Sequence, residues 1–156
     1  ECYDLWSCNN LYWYLTHACS PVTDGLMPYR EADLLRNILD RADAALKEGK
    51  KQATLRFGHE SCLLPLVALL ELNHYGESYP DVEKLSEQWR AYDIFPMASN
   101  VQFVFFHKKG SNDVLVKVLL NEKETKLPVK TDVAPYYHWK DVESYYREKL
   151  DKYQHI

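Results

Sequence analysis

The stretch Phe57-Gly58-His59-Glu60-Ser61-Cys62-Leu63-Leu64-Pro65-Leu66 decides how the chain is read. To its left, Gln52 to Phe57 alternates in the manner of a short strand. To its right, Leu63 to Leu72 is apolar nearly all round, which predicts a helix buried on every side. Pro65 is compatible with the first turn of a helix but not with its interior, so the helix is expected to start close to Leu64, with His59 to Cys62 in the turn leading into it. Strand, glycine-containing turn and buried helix make a β-turn-α unit. The helix N-terminus of such a unit offers unpaired N–H groups and partial positive charge, and so suits an anion such as phosphate.

Chemistry at that turn rests on His59 and Glu60. An imidazole there can donate to phosphoryl oxygens, and a carboxyl held beside a phosphate dianion has its pKa raised by like-charge repulsion. A carboxyl of that kind can protonate a leaving alkoxide. Spacing alone favours a plainer role, with Glu60 complementing the helix dipole and His59 simply occupying the turn. Arg56 either points into the same crevice or pairs with a carboxylate. His17, His74, His107, His138 and His155 show no metal-ligand spacing, there is no Cys-x-x-Cys pair, and no metal site is expected.

Helices come first along the chain and a mixed α/β part follows. Asp4 to Cys19 reads as an aromatic-rich helix with Leu5, Cys8, Tyr12 and Leu15 on one face. Arg30 to Glu48 is a second helix, striped by Leu34, Leu35, Ile38, Ala42, Ala45 and Leu46 and stopped by Gly49. Asp81 is a plausible cap for a helix over Lys84 to Arg90. Val101 to Phe106 reads as a strand buried on both faces, paired as a hairpin through Gly110-Ser111-Asn112-Asp113 with Val114 to Leu120. Thr125 to Val129 is expected to add a short strand after a solvated turn at Glu122-Lys123. A charged helix from His138 to Tyr153 closes the chain, with Trp139, Val142, Tyr146 and Leu150 on one side.

Three stretches together resemble the histidine acid phosphatases, in particular the multiple inositol polyphosphate phosphatase branch. The opening stretch is similar to that branch's F-G-H-A-E-T-L-L-P-L. Pro96-Met97-Ala98-Ser99-Asn100-Val101-Gln102-Phe103-Val104 is similar to P-x-A-S-N-L-x-F-V. Val118-Leu119-Leu120-Asn121-Glu122-Lys123, with Leu127-Pro128 after it, is similar to M-L-L-N-E-K and L-P. The likeness runs from about Ala53 to about Val129.

The resemblance implies the C-terminal part of a phosphoglycerate-mutase-like α/β fold, with residues 1–50 as the end of a helical cap and 51–156 as the second half of the α/β core. It implies a phosphomonoesterase of inositol polyphosphates such as phytate, working through a phosphohistidine intermediate without metal or other cofactor. The family's nucleophile lies in an R-H-G-x-R-x-P motif, and no Arg-His-Gly occurs in this chain. His59 matches the second histidine, which contacts the transferring phosphoryl group. An ungapped match sets Glu60 on the branch's alanine and Ser61 on its glutamate. Other members place the acid directly after the histidine, where Glu60 stands, so Glu60 is the expected proton donor. Arg56 is kept as a candidate for substrate binding. A sugar-phosphate phosphatase, or a non-catalytic domain that binds phosphate or a partner, stands as the alternative.

Composition agrees with this and excludes other classes. The chain has 156 residues, enough for one domain, and 46% of them are hydrophobic. A net charge of -4 argues against a nucleic-acid partner, and no apolar run is long enough for a membrane span. The expected partners are a small phosphate ester and the N-terminal half of the same protein. The opening Glu1-Cys2-Tyr3-Asp4 reads as that of a fragment or processed product, and the resemblance implies a secreted, periplasmic or secretory-pathway location. Whether Cys2, Cys8, Cys19 and Cys62 form a disulfide or stay as buried thiols is open.

Overall fold

A computed structural model describes residues 1–153. Helix α1 spans Cys2–His17 and is followed by two short 3-10 turns, Pro21–Thr23 and Met27–Glu31. The rest of the chain runs α2 (Ala32–Glu48), α3 (Glu60–Leu69), α4 (Leu85–Gln88), α5 (Ala91–Ile94), β1 (Val101–His107), β2 (Val114–Leu120), β3 (Lys123–Glu124), β4 (Tyr137–His138) and α6 (Trp139–Tyr153). The architecture is mixed α/β, with helices around one antiparallel sheet.

Helices α2 and α6 follow their apolar periodicity. Leu35 and Leu39 are fully buried, and Leu34, Ile38, Ala42 and Leu46 pack against them. Gly49 ends α2 in the left-handed region at φ 64°, a conformation glycine adopts without a Cβ penalty. The inward side of α6 is Trp139, Val142, Tyr146 and Leu150, as the spacing predicts. Arg147 fastens α6 to α2 through Asp40 and Asp43, at 3.0 and 2.9 Å.

Helix α1 buries a different face from the one expected, and of the expected stripe only Leu15 packs against the core. Leu5 is 70% and Tyr12 57% exposed, Cys8 is exposed, and the buried residues are Asn10, Tyr14 and His17. The inward residues Asn10 and Tyr14 are fixed by polar contacts, alongside the packing of Leu11, Trp13 and Leu15. The Asn10 amide donates to the Trp89 carbonyl at 3.0 Å and its oxygen accepts the Ala91 N–H at 2.8 Å. The Tyr14 hydroxyl accepts the Tyr79 N–H at 2.6 Å. Buried backbone groups of the segment around α4 and α5 need these partners. That segment is also less helical than expected: only Leu85–Gln88 is helical, and Asp81 caps locally by accepting the Glu83 N–H.

In the sheet, β2 is central. It pairs antiparallel with β1 from Val101↔Leu120 to His107↔Val114, with β3 at Leu120↔Lys123, and with β4 at Val116↔Tyr137. The expectation that Val101 to Phe106 is buried on both faces fails, because β1 is the edge strand and is at most half-buried. The expected strand at Thr125 to Val129 is also missing. Its amides are spoken for: Thr125 N–H bonds the Val118 carbonyl, Lys126 N–H the Asn73 side chain, and Leu127 N–H the Tyr137 hydroxyl.

One apolar core joins these layers, with Leu64 and Leu69 of α3 set among Leu35, Leu39, Val116 and Tyr146. The Tyr146 hydroxyl, fully buried, donates to the Leu70 carbonyl just past the end of α3 at 2.7 Å. All four cysteines are free; Cys2 and Cys8 are exposed, Cys19 and Cys62 half-buried, so the thiols are not uniformly interior. Among the described residues no helix is long and apolar enough to cross a membrane.

Candidate functional site

Helix α3 starts at Glu60, earlier than the position of Pro65 suggests. His59 is its N-cap residue, extended at φ −107° and ψ 165°, and its carbonyl accepts the N–H groups of Cys62 and Leu63, both at 3.0 Å. Pro65 therefore lies inside the helix, where it forgoes the bond to the Ser61 carbonyl. Burial holds the helix together across that gap, since every residue from Leu64 to Leu70 is at most 7% exposed apart from Pro65, which is also buried. Tertiary packing, not local propensity, is what sustains a ten-residue helix.

The consequence for the site is an exposed helix start. Gly58, His59 and Glu60 are exposed and Ser61 is half-buried. The His59 side chain does not cap the helix, so the first amides of α3, which have no carbonyl one turn back, remain directed at whatever approaches that end. Glu60 is the first residue of α3 and Ser61 the second. His59 and Glu60 are thus brought together as neighbours on one solvent-facing helix N-terminus.

Arg56 is held elsewhere. Its guanidinium donates to the Asn37 side-chain oxygen on α2 at 2.8 Å, and among the described residues it makes no hydrogen bond to His59 or Glu60. Of the two readings the sequence leaves for it, a structural tether fits, with an amide as partner instead of a carboxylate.

The strand expected at Gln52 to Phe57 does not form. Residues 51–60 are exposed, with Leu55 at 76% and Phe57 at 94%. An extended segment becomes a strand only when a neighbouring backbone takes its N–H and C=O groups, and none does so among the described residues.

The turn lines neither of the two best-formed surface cavities among the described residues. These cavities, of about 210 and 390 Å³, gather around Glu71, one against Gly76 and Leu127 and the other against Cys19, Tyr29 and Lys149. Glu71 accepts the Tyr145 hydroxyl at 2.5 Å and pairs with Lys149 at 3.1 Å. The carboxylate beside Tyr145 adds to burial in pushing that phenol well above the usual tyrosine range. Among the described residues no cluster of three or more His, Cys, Asp or Glu is arranged to hold a metal ion.

The other two stretches singled out in the sequence meet each other. Asn121 accepts the Asn100 N–H through its side-chain oxygen at 3.1 Å and gives its own N–H to the Asn100 carbonyl at 2.9 Å. Its amide nitrogen donates to the Ile94 carbonyl at 3.0 Å. Asn121 does this from φ 51°, a left-handed conformation that asparagine tolerates better than most residues. Sequence reasoning quoted both asparagines without giving them work. The signal for Asn121 was its place at the end of a β-branched run, where a chain reversal needs a positive φ.

The fold and these three stretches define a class: the chain belongs to the histidine phosphatase superfamily, branch 2, whose family model matches residues 29–121. That match runs from the 3-10 turn before α2 to the residue after β2 and contains His59, Glu60, Asn100 and Asn121. Among individual proteins, the chain is 28% identical to human multiple inositol polyphosphate phosphatase 1, over 78% of this chain and 27% of the relative. It also resembles the solved structures of Bifidobacterium longum multiple inositol polyphosphate phosphatase. The complex with inositol hexasulfate is 26% identical with a TM-score of 0.65, covering 76% of this chain and 25% of that one. The apo form superposes at a TM-score of 0.75 and 24% identity, covering 89% and 30%. The chain therefore spans between a quarter and a third of the length of the relatives it matches.

Proposed function

We propose that this chain supplies the second half of a phosphomonoesterase site that acts on inositol polyphosphates such as phytate. The phosphohistidine nucleophile comes from an R-H-G-x-R-x-P segment outside these 156 residues. The observation that carries the reading is the pairing of His59 and Glu60 at the exposed start of α3, in a chain of this family. In the assembled enzyme, residues 51–57 gain backbone partners and the apolar surface at Leu55 and Phe57 is covered.

The chemistry follows from the two side chains. His59 donates hydrogen bonds to the oxygens of the transferring phosphoryl group, where charge builds in the transition state. The amides of α3 add to that field. Glu60, protonated, gives its proton to the departing inositol oxygen as the P–O bond breaks, so that an alcohol and not an alkoxide leaves. The Ser61 hydroxyl is too weak an acid to do the same. Arg56 ties the segment before the turn to Asn37 of α2. Neither metal nor organic cofactor takes part, and the reading goes with a whole protein that works in the secretory pathway, the periplasm or the medium, a location that the family resemblance only implies.

The test is steady-state phytate hydrolysis by the full-length protein. Glu60→Gln lowers kcat by about 10²- to 10⁴-fold, the usual contribution of a positioned proton donor. Ser61→Ala stays within a few-fold of wild type. p-Nitrophenyl phosphate, whose leaving group needs little protonation, is hurt less by Glu60→Gln. Wild-type-like phytate turnover by Glu60→Gln refutes the donor assignment. The 156-residue chain by itself turns over no phosphate ester, and measurable hydrolysis by it would refute the division of the site.

A further inference from the structure

The imidazole of His138 lies between two carboxylates that come from different parts of the chain. Its Nδ1 is 3.0 Å from Asp113, the last residue of the β1–β2 hairpin turn, and its Nε2 is 2.9 Å from Asp132, in the loop between β3 and β4. An ionised carboxylate only accepts hydrogen bonds. A neutral imidazole carries one N–H and satisfies one of these contacts, leaving the other as a lone pair facing a negative oxygen. Only the imidazolium, with an N–H on each nitrogen, satisfies both.

His138 is also the residue at which several elements converge. It pairs with Leu115 in the ladder between β4 and β2, and Trp139 begins α6 directly after it. Asp132 belongs to a loop organised by the Thr131 hydroxyl, which donates to the Tyr136 carbonyl at 2.7 Å.

We propose that Asp113, His138 and Asp132 form a proton-operated clasp, which holds the hairpin tip and the 130–136 loop against the start of α6 when His138 is charged and releases them when it is neutral. This does not depend on the assignment of the phosphatase site. Other charged groups nearby do not compete for the ring. Lys117 of β2 is engaged by Glu124 at 2.9 Å, and His107 of β1 bonds the Ser111 carbonyl at 2.8 Å. Lys108, Lys109, Lys126 and Lys130 in the two loops, Lys123 on β3, and Lys140, Asp141 and Glu143 in the first turns of α6 are the other charges on the adjoining segments.

Both carboxylates act in one direction. Hydrogen bonds to Asp132, then Asp113, raise the His138 pKa above 6.5, and the Asp132 carboxyl is held below its ordinary value by His138. A histidine raised on folding contributes its full stabilisation below the ordinary value and loses it as the pH climbs through the folded value. The clasp is therefore closed in acid and opens on the neutral to alkaline side.

The experiment is a pH titration of the chain by long-range ¹H–¹⁵N NMR of the imidazole, with amide exchange of residues 110–113 and 130–137 corrected for intrinsic rates. His138 is expected to titrate above 6.5 with both nitrogens protonated in acid, and protection in both loops is expected to fall through the same pH. Asp113→Asn and Asp132→Asn, both at exposed positions that leave the core intact, each move the titration down, and together they uncouple loop protection from pH. Titration of His138 at or below 6.5 overturns the clasp, as does loop protection that follows pH equally in the double variant.

Discussion

Replacing Asn10 by Ala tests whether α1 is held by its polar inward face. The residue is 2% exposed, and its side chain serves the Trp89 carbonyl and the Ala91 N–H, whose residues are 0% and 5% exposed. The substitution strands one buried acceptor and one buried donor, each costing about 1–3 kcal/mol. Alanine's better helix propensity returns roughly 0.5 kcal/mol. The net expected loss is about 1.5–5.5 kcal/mol. With a urea slope of about 2 kcal/mol/M for a chain of this size, the midpoint falls by about 0.8–2.8 M. Circular dichroism at 222 nm follows the transition, with sedimentation confirming that both proteins are monomeric. Leu5→Ala, at an outward position, is the control and stays within about 0.5 kcal/mol. A midpoint shift below ~0.3 M for Asn10→Ala, or a larger one for Leu5→Ala, would mean that α1 packs by its apolar stripe after all.

Two further perturbations test other parts of the structure. A Cβ on Gly76 would meet the Glu71 Cα at 2.8 Å and Cγ at 2.6 Å, and the backbone atom cannot move aside. Gly76→Ala is therefore expected to cost about 1–3 kcal/mol, read as a melting temperature lower by about 2–4 °C for each kcal/mol; unchanged melting would refute the close approach. Burial pushes the Cys19 thiol up to about 11, so it holds little thiolate at pH 8, while Cys2 and Cys8 are exposed. Thiol titration with a disulfide reagent at pH 8, read by mass spectrometry, is expected to label Cys2 and Cys8 first; early labelling of Cys19 would contradict its enclosure.

Where each residue's role is local, the sequence discloses it. The stripe of α6 from Trp139 to Leu150 and the end of α2 at Gly49 follow from spacing and from glycine's access to positive φ. The hairpin follows from two β-branched runs around Gly110. Reading fails where a partner decides. Helix α1 is oriented by the backbone needs of Trp89, Ala91 and Tyr79, which periodicity does not record. Gln52 to Phe57 has the pattern of a strand and no neighbour to pair with. Pro65 misplaced the start of α3 because a helix so fully enclosed tolerates a missing bond. The site behaves likewise. His59 and Glu60 were visible from their motif, but their setting at an open helix start came only with the boundary at Glu60, and the Asn37 partner of Arg56 lies 19 residues away with no pattern to announce it.

The pairing of Asn100 with Asn121 bears on recombination between relatives. A breakpoint that falls between the P-M-A-S-N stretch and the L-L-N-E-K stretch draws the two partners of this contact from different parents. Such a chimera keeps its hairpin register only if the incoming residue at 121 both accepts a left-handed backbone and carries an amide able to bond in two directions. Among the twenty side chains asparagine meets both conditions with least strain. Residues 96–123 therefore work as one cassette, and exchange within it is tolerated where the incoming segment keeps an asparagine at 121.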